Sequence, residues 1–130
     1  MIRCVRLWTG EDMASHFEWG QLDMGPGPRT DLTTRIMGAT SVSLRETAPG
    51  GTLTWHPAPV RQLVLTLRGT LRFEMRDGST FILTPGVVLL AEDTTGSGHR
   101  WDMIGEEPWH RAYVVLPPGE VVPFQADPHA

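Results

Sequence analysis

The chain has no lysine; all eleven of its basic side chains other than histidine are arginines. That excludes Schiff-base chemistry and a lysine general base. Cysteine is nearly absent as well, and Cys4, standing alone, cannot form an internal disulfide. No apolar run is long enough for a secretory signal core or a membrane span, so a cytoplasmic protein is expected. There is no Walker loop and no dinucleotide-binding glycine loop. The formal net charge is −4, with acids and arginines interspersed rather than blocked, so neither nucleic acid nor an anionic membrane is an expected partner. Helical periodicity is scarce: only Glu11 to His16 offers a short helical turn, and no internal repeat is visible.

What the chain does contain is β-rhythm. The 130 residues suit one domain able to bury its own core. Short runs rich in Val, Leu, Ile, Thr and Phe, cut by Pro and Gly, predict strands over Ser41 to Thr47, Thr52 to His56, Gln62 to Leu67, Thr70 to Met75, Thr80 to Leu83, Val87 to Ala91, His99 to Ile104 and Ala112 to Leu116. Asp77-Gly78 predicts a two-residue hairpin turn, and Gly69 a second tight connection. Leu63, Leu65 and Leu67 alternate with Gln62, Val64 and Thr66, giving that strand one apolar and one mixed face. Gly25-Pro-Gly-Pro28 separates an N-terminal arm (1–34) from a strand region (35–116), and Pro117-Pro-Gly119 opens an irregular tail (117–130). The arm is expected to pack along a sheet edge or cross to a partner subunit.

Chemistry concentrates in two segments, Gly51 to Gln62 with His56, and Glu92 to His99. Two imidazoles carried to one point by separate strands suit a metal site or an acid/base pair, since each ring approaches from its own direction. Asp93 has two candidate roles: accepting turn amides, which is slightly favoured, or fixing the tautomer of a histidine. Tyr113 is a candidate proton donor or a packing residue, and Trp55, Trp101 and Trp109 are candidates for an aromatic pocket wall or for core. Arg61, next to Gln62 but on the opposite strand face, is expected to pair with Glu74 or solvent. His16 is a candidate third imidazole, though a surface or capping role is the commoner fate of such a residue.

These residues resemble the small single-domain cupins, specifically a bacterial subgroup marked by a His-Pro-Ala-Pro-x-Arg-Gln segment, here His56 to Gln62, and by Glu-Asp-Thr-Thr-Gly-x-Gly-His, here Glu92 to His99. In the first cupin motif His56 falls on the first histidine, Ala58 on the second, Gln62 on the glutamate and Gly69 on the closing glycine; Pro85-Gly86 opens the second motif and His99 falls near its histidine. The resemblance implies an all-β, double-stranded β-helix (jelly-roll) barrel with a pocket in its mouth. It also implies a divalent transition metal (Mn, Fe, Ni or Zn) as a candidate cofactor on His56, Gln62 and His99.

The expected function is an enzyme acting on a small organic molecule by proton transfer or Lewis-acid catalysis, of isomerase, cyclase, dehydratase or lyase type. His56, His99 and Gln62 are its catalytic candidates, and Trp55, Asp93, Trp101 and Tyr113 would contact substrate. The alternatives are a non-catalytic small-ligand-binding module and a metal-dependent oxygenase. A homodimer is expected. Changing His99 to Ala is expected to abolish turnover and leave the fold intact.

Overall fold

The computed structural model describes residues 1–128. Thirteen strands and no helix occur among them: β1 (Arg3–Thr9), β2 (Ser15–Leu22), β3 (Gly25–Pro26), β4 (Leu32–Thr33), β5 (Ser41–Thr47), β6 (Thr52–His56), β7 (Gln62–Arg68), β8 (Thr70–Glu74), β9 (Thr80–Leu83), β10 (Val88–Glu92), β11 (His99–Ile104), β12 (Trp109–Val115) and β13 (Phe124–Ala126). Seven form one sheet in the order β13-β2-β1-β10-β7-β12-β5, four form a second in the order β6-β11-β8-β9, and β3 pairs with β4. The protein is all-β, and no helix among the described residues is long and apolar enough to cross a membrane.

The alternating pattern of β7 resolves against simple intuition. Its mixed face points inward: Val64 joins Val5, Leu7, Leu71, Phe73, Phe81, Leu83, Leu89 and Trp109 in the core shared by both sheets, and Gln62 borders the cavity described below. Its apolar face points outward, where Leu63 is covered by Cys4, Leu22, Val88, Leu90 and Leu116, while Leu67 stays exposed. A strand buried on one face only would hide its leucines; here both faces of the large sheet are covered over much of their area, the outer one by Met37, Val122 and Phe124. Burial under this outer layer pushes the Cys4 thiol up to about 12, removing it from thiolate chemistry.

Several expectations are corrected. The Glu11–His16 helical turn does not form; a backbone turn carries the chain into β2, whose pairing with β1 uses His16 and Ser15 as strand residues opposite Trp8 and Thr9. The expected arm therefore holds two strands of the large sheet, and β1 also runs parallel to β10 from Cys4↔Val88 to Trp8↔Glu92. The tail is not wholly irregular either, because β13 pairs with β2 and Asp127 receives a double hydrogen bond from Arg3 at 2.8 Å. The hairpin at Asp77-Gly78 exists, but Asp77 does not take the positive φ that a primed two-residue turn needs. Instead Gly78 N–H donates to Met75 and Met75 N–H to Ser79, with Gly78 alone at φ 86, the three-residue form with a glycine bulge.

Candidate functional site

Strands β5, β6, β7, β11 and β12 enclose a cavity of about 570 Å³. His56, His99, Gln62, Trp101 and Tyr113 border it; Trp55 and Asp93 do not. The two histidines meet because β6 and β11 are antiparallel neighbours with His99 directly opposite His56, which sets the ring centroids 4.7 Å apart at 57°. Gly98 permits this approach. At φ +75 it lies so close to the preceding strand end that a Cβ there would sit 2.0 Å from the His56 carbonyl carbon, so the Gly-Ser-Gly stretch is a close-packed joint rather than a loose linker.

Trp55 misses the cavity because of a bulge. Between the pairs His99↔His56 and Trp101↔Leu53, β11 advances two residues and β6 three. The extra residue inverts the alternation, so Leu53 and His56 both face the cavity. Trp55 turns the other way, against Arg76, whose guanidinium carbon lies 3.9 Å from the ring centroid.

Asp93 stands behind His99. Its Oδ2 accepts from His99 Nδ1 at 2.5 Å and from the Ser15 hydroxyl at 2.6 Å, and the residue is 0% exposed. Oδ1 has no partner. The carboxylate thus engages side chains rather than the turn amides. Because a carboxylate accepts, Nδ1 of His99 carries a proton, and in the neutral ring the lone pair lies on Nε2. His56 is set in the same tautomer: its Nδ1 lies 2.7 Å from the Thr54 carbonyl, which can only accept.

Burial lowers the pKa of His56, the Thr54 carbonyl partly opposing the shift and His99 adding to it. Its neutral form is therefore favoured by folding. As pH falls the unfolded chain protonates here first, so this contribution to stability is complete above the unfolded value of about 6.5 and is lost as pH drops through the depressed folded value. An NMR titration of the His56 ring is expected to show a midpoint below about 6.5, and the thermal midpoint of His56→Gln should fall less on acidification than that of the parent. A ring midpoint at or above the ordinary value contradicts this account.

Gln62 is buried at the start of β7, and no side-chain hydrogen bond ties its amide among the described residues, which leaves it free for a guest in the cavity. Ala58, at the second-histidine position of the resemblance, lines the wall as a methyl group. Arg61 pairs with Glu92 at 2.6 Å, and Glu92 also receives Arg6 at 2.6 Å; Glu74 is met by Arg100 at 3.3 Å instead. A parallel β1–β10 pairing, invisible in sequence, brings Arg6 and Arg61 to one carboxylate. His16 is not among the cavity residues. It stacks on Trp8 and bonds Asp12 at 2.9 Å, so it adds no third imidazole.

Sequence reasoning missed Arg111 and Arg45. Because β12 begins at Trp109 rather than Ala112, residues 109, 111, 113 and 115 share the inward face. The signal was present, since the alternation Trp109, Arg111, Tyr113 continues the strand upstream. Arg111 is 3% exposed. It lies 3.7 Å over the Trp109 ring and donates to Tyr113 Oη at 3.1 Å and Thr47 Oγ1 at 2.7 Å. Arg45 stacks on Tyr113 at 4.9 Å.

No protein-family model matches the chain. No curated protein matches it significantly either.

Proposed function

We propose that the protein is a small-molecule enzyme acting by proton transfer in the cavity between the two sheets. The observation that carries this reading is the buried Asp93–His99 pair at 2.5 Å, which turns His99 Nε2 toward a cavity that His56 shares. In this mechanism His99 takes a proton from substrate at Nε2. Asp93 holds the ring in the needed tautomer and stabilises the imidazolium that forms. His99 returns that proton to another substrate atom, directly or by way of Nε2 of His56, which burial keeps in the neutral, accepting form. The unengaged Gln62 amide donates to the oxygen where charge develops and orients it. Trp101, Trp109, Phe73 and Leu89 exclude water from the reacting atoms. An isomerase, cyclase, dehydratase or lyase reaction fits this machinery, and a cupin-type jelly-roll is the architecture we assign to the two-sheet fold.

Solvent hydrogen exchange tests the reading without a known substrate. In D2O, a panel of small carbonyl compounds incubated with the protein is expected to yield at least one that gains deuterium beside its carbonyl, read by NMR. Compounds that bind the cavity yet never exchange would instead mark a non-catalytic binding protein.

A second reading has an observation of its own. With both Nδ1 atoms engaged, His56 and His99 each offer Nε2, and together with Gln62 Oε1 they are the residues that would hold a divalent transition metal. Among the described residues no three His, Cys, Asp or Glu side chains converge, so the amide, water or substrate would complete its shell. Such a metal would supply Lewis-acid polarisation of a carbonyl. Stoichiometric metal in tag-free protein would favour this branch over bare acid/base chemistry.

We further infer a homodimer. Among the described residues strand β5 ends the large sheet with an unpaired edge, and its outward Val42 and Leu44 are 64% and 73% exposed, with exposed Leu67 bordering the same outer hollow as Leu44. Light scattering is expected to give twice the chain mass, and Leu44→Glu to shift it toward monomer. A parent chain that is monomeric at high concentration removes the inference.

A further inference from the structure

Two arginines and two histidines line the cavity, Arg45, Arg111, His56 and His99, and no aspartate or glutamate does. Arg111 is the unusual member. A guanidinium this deeply buried ordinarily faces a carboxylate, because an unpaired buried charge is costly. Here its Nε and Nη1 donate only to neutral oxygens, those of Tyr113, Thr47 and the Trp109 carbonyl. Its Nη2 has no protein partner among the described residues and is not fully enclosed, since Asp93 Oδ1 is the one fully enclosed side-chain polar atom among them that lacks a partner; Arg111 borders both this cavity and a shallower hollow beside Glu46. Burial disfavours its charge, the Tyr113 hydroxyl partly offsets that, and Arg45 at the rim adds repulsion. The cavity wall thus holds two cations and no counter-ion, while the opposite wall holds the histidines.

We propose that the substrate is a small organic carboxylate, its carboxylate seated on Arg111 with Arg45 closing over it from the rim. This deepens the proton-transfer reading and rests on the same cavity. A planar guanidinium matches a carboxylate through parallel N–H donors. The Trp109 and Tyr113 rings fix the plane of the Arg111 fork by stacking on it and bonding to it. The apolar surfaces of Val64, Phe73, Leu89 and Trp101 then take the carbon skeleton. Anchoring the acid at Arg111 leaves the other end of a compact molecule toward His99, so the carbon that loses a proton lies away from the carboxylate.

The test compares monocarboxylates, aliphatic and aromatic, each with its own primary amide, on the unaltered protein by chemical-shift titration, with inorganic phosphate as a third probe. Acids are expected to shift Trp109 and Tyr113 signals and to bind roughly tenfold or more tighter than their amides, the size of a charge-assisted hydrogen bond. Arg111→Gln, which keeps a donor for Thr47, should erase the acid preference, and Arg45→Gln should weaken it less. Amides binding as well as acids, no response to any acid, an acid preference unchanged in Arg111→Gln, or phosphate outcompeting every carboxylate would each overturn the proposal. Acids that bind without any deuterium exchange would leave it standing and remove the proton-transfer reading. Exchange confined to neutral carbonyl compounds would do the reverse.

Discussion

His99→Asn is expected to lose proton-transfer turnover by a factor on the order of 10²–10⁴, the usual worth of a positioned acid/base group, while keeping its fold. Asparagine is the informative replacement because its amide nitrogen occupies the place of imidazole Nδ1. It can go on donating to Asp93, and nothing remains at the Nε2 position. Alanine would confuse two effects. His99 is 4% exposed and packs on Phe73 at 5.5 Å, and its removal would leave Asp93 with the Ser15 hydroxyl as sole partner. Losing one of the two hydrogen bonds to this buried carboxylate oxygen costs about 1.5–3 kcal/mol. The expectation that His99→Ala abolishes turnover with the fold intact is therefore extended: His99→Ala loses turnover and part of the stability as well. Deuterium exchange and thermal melting on the same samples separate the two contributions. Exchange at the parent rate in a well-folded His99→Asn protein would take His99 out of the mechanism.

Trp109→Ala should be the most destabilising single change proposed, at about 3–5 kcal/mol, a large part of the 5–15 kcal/mol typical of a whole domain. Trp109 is among the largest fully buried side chains. Its ring meets Trp101 edge-on at 5.1 Å, its indole N–H donates to the buried Thr66 hydroxyl at 3.2 Å, and its face carries the Arg111 guanidinium. Deleting it removes apolar contact, orphans a hydroxyl and unseats a buried cation together. Trp55→Ala is the control, since Trp55 lies outside the core cluster and its cation–π contact is worth roughly 1 kcal/mol. Urea unfolding of the two variants measures the difference. Equal losses would mean that Trp109 does not organise the core as described.

The local sequence announced the strands well where a period-two pattern stood between Gly or Pro breaks, as in Ser41–Thr47 and Thr80–Leu83, which match the observed elements residue for residue. It was misleading where a residue's orientation depended on a neighbour. Leu53 and His56, three apart, would lie on opposite faces of a regular strand, yet a bulge in the pairing with β11 turns both to the cavity and leaves Trp55 outside it. Asp93 reads as a turn residue because its nearest sequence partners are Thr and Gly, whereas its carboxylate partners come from residue 15 and residue 99. Arg111 was lost by starting a strand three residues late.

By itself, then, the sequence determined an all-β chain without lysine or disulfide chemistry, and it carried His56 and His99 as the residues to watch, because composition, turn residues and strand period are local properties. Which side chains share a cavity was decided only by tertiary structure. Strand partners far apart in the chain set the bulge beside His56, the buried carboxylate behind His99 and the guanidinium on the same cavity's wall that meets no carboxylate among the described residues. Each of these depends on register and depth between strands, and neither quantity is encoded in the spacing along any one of them.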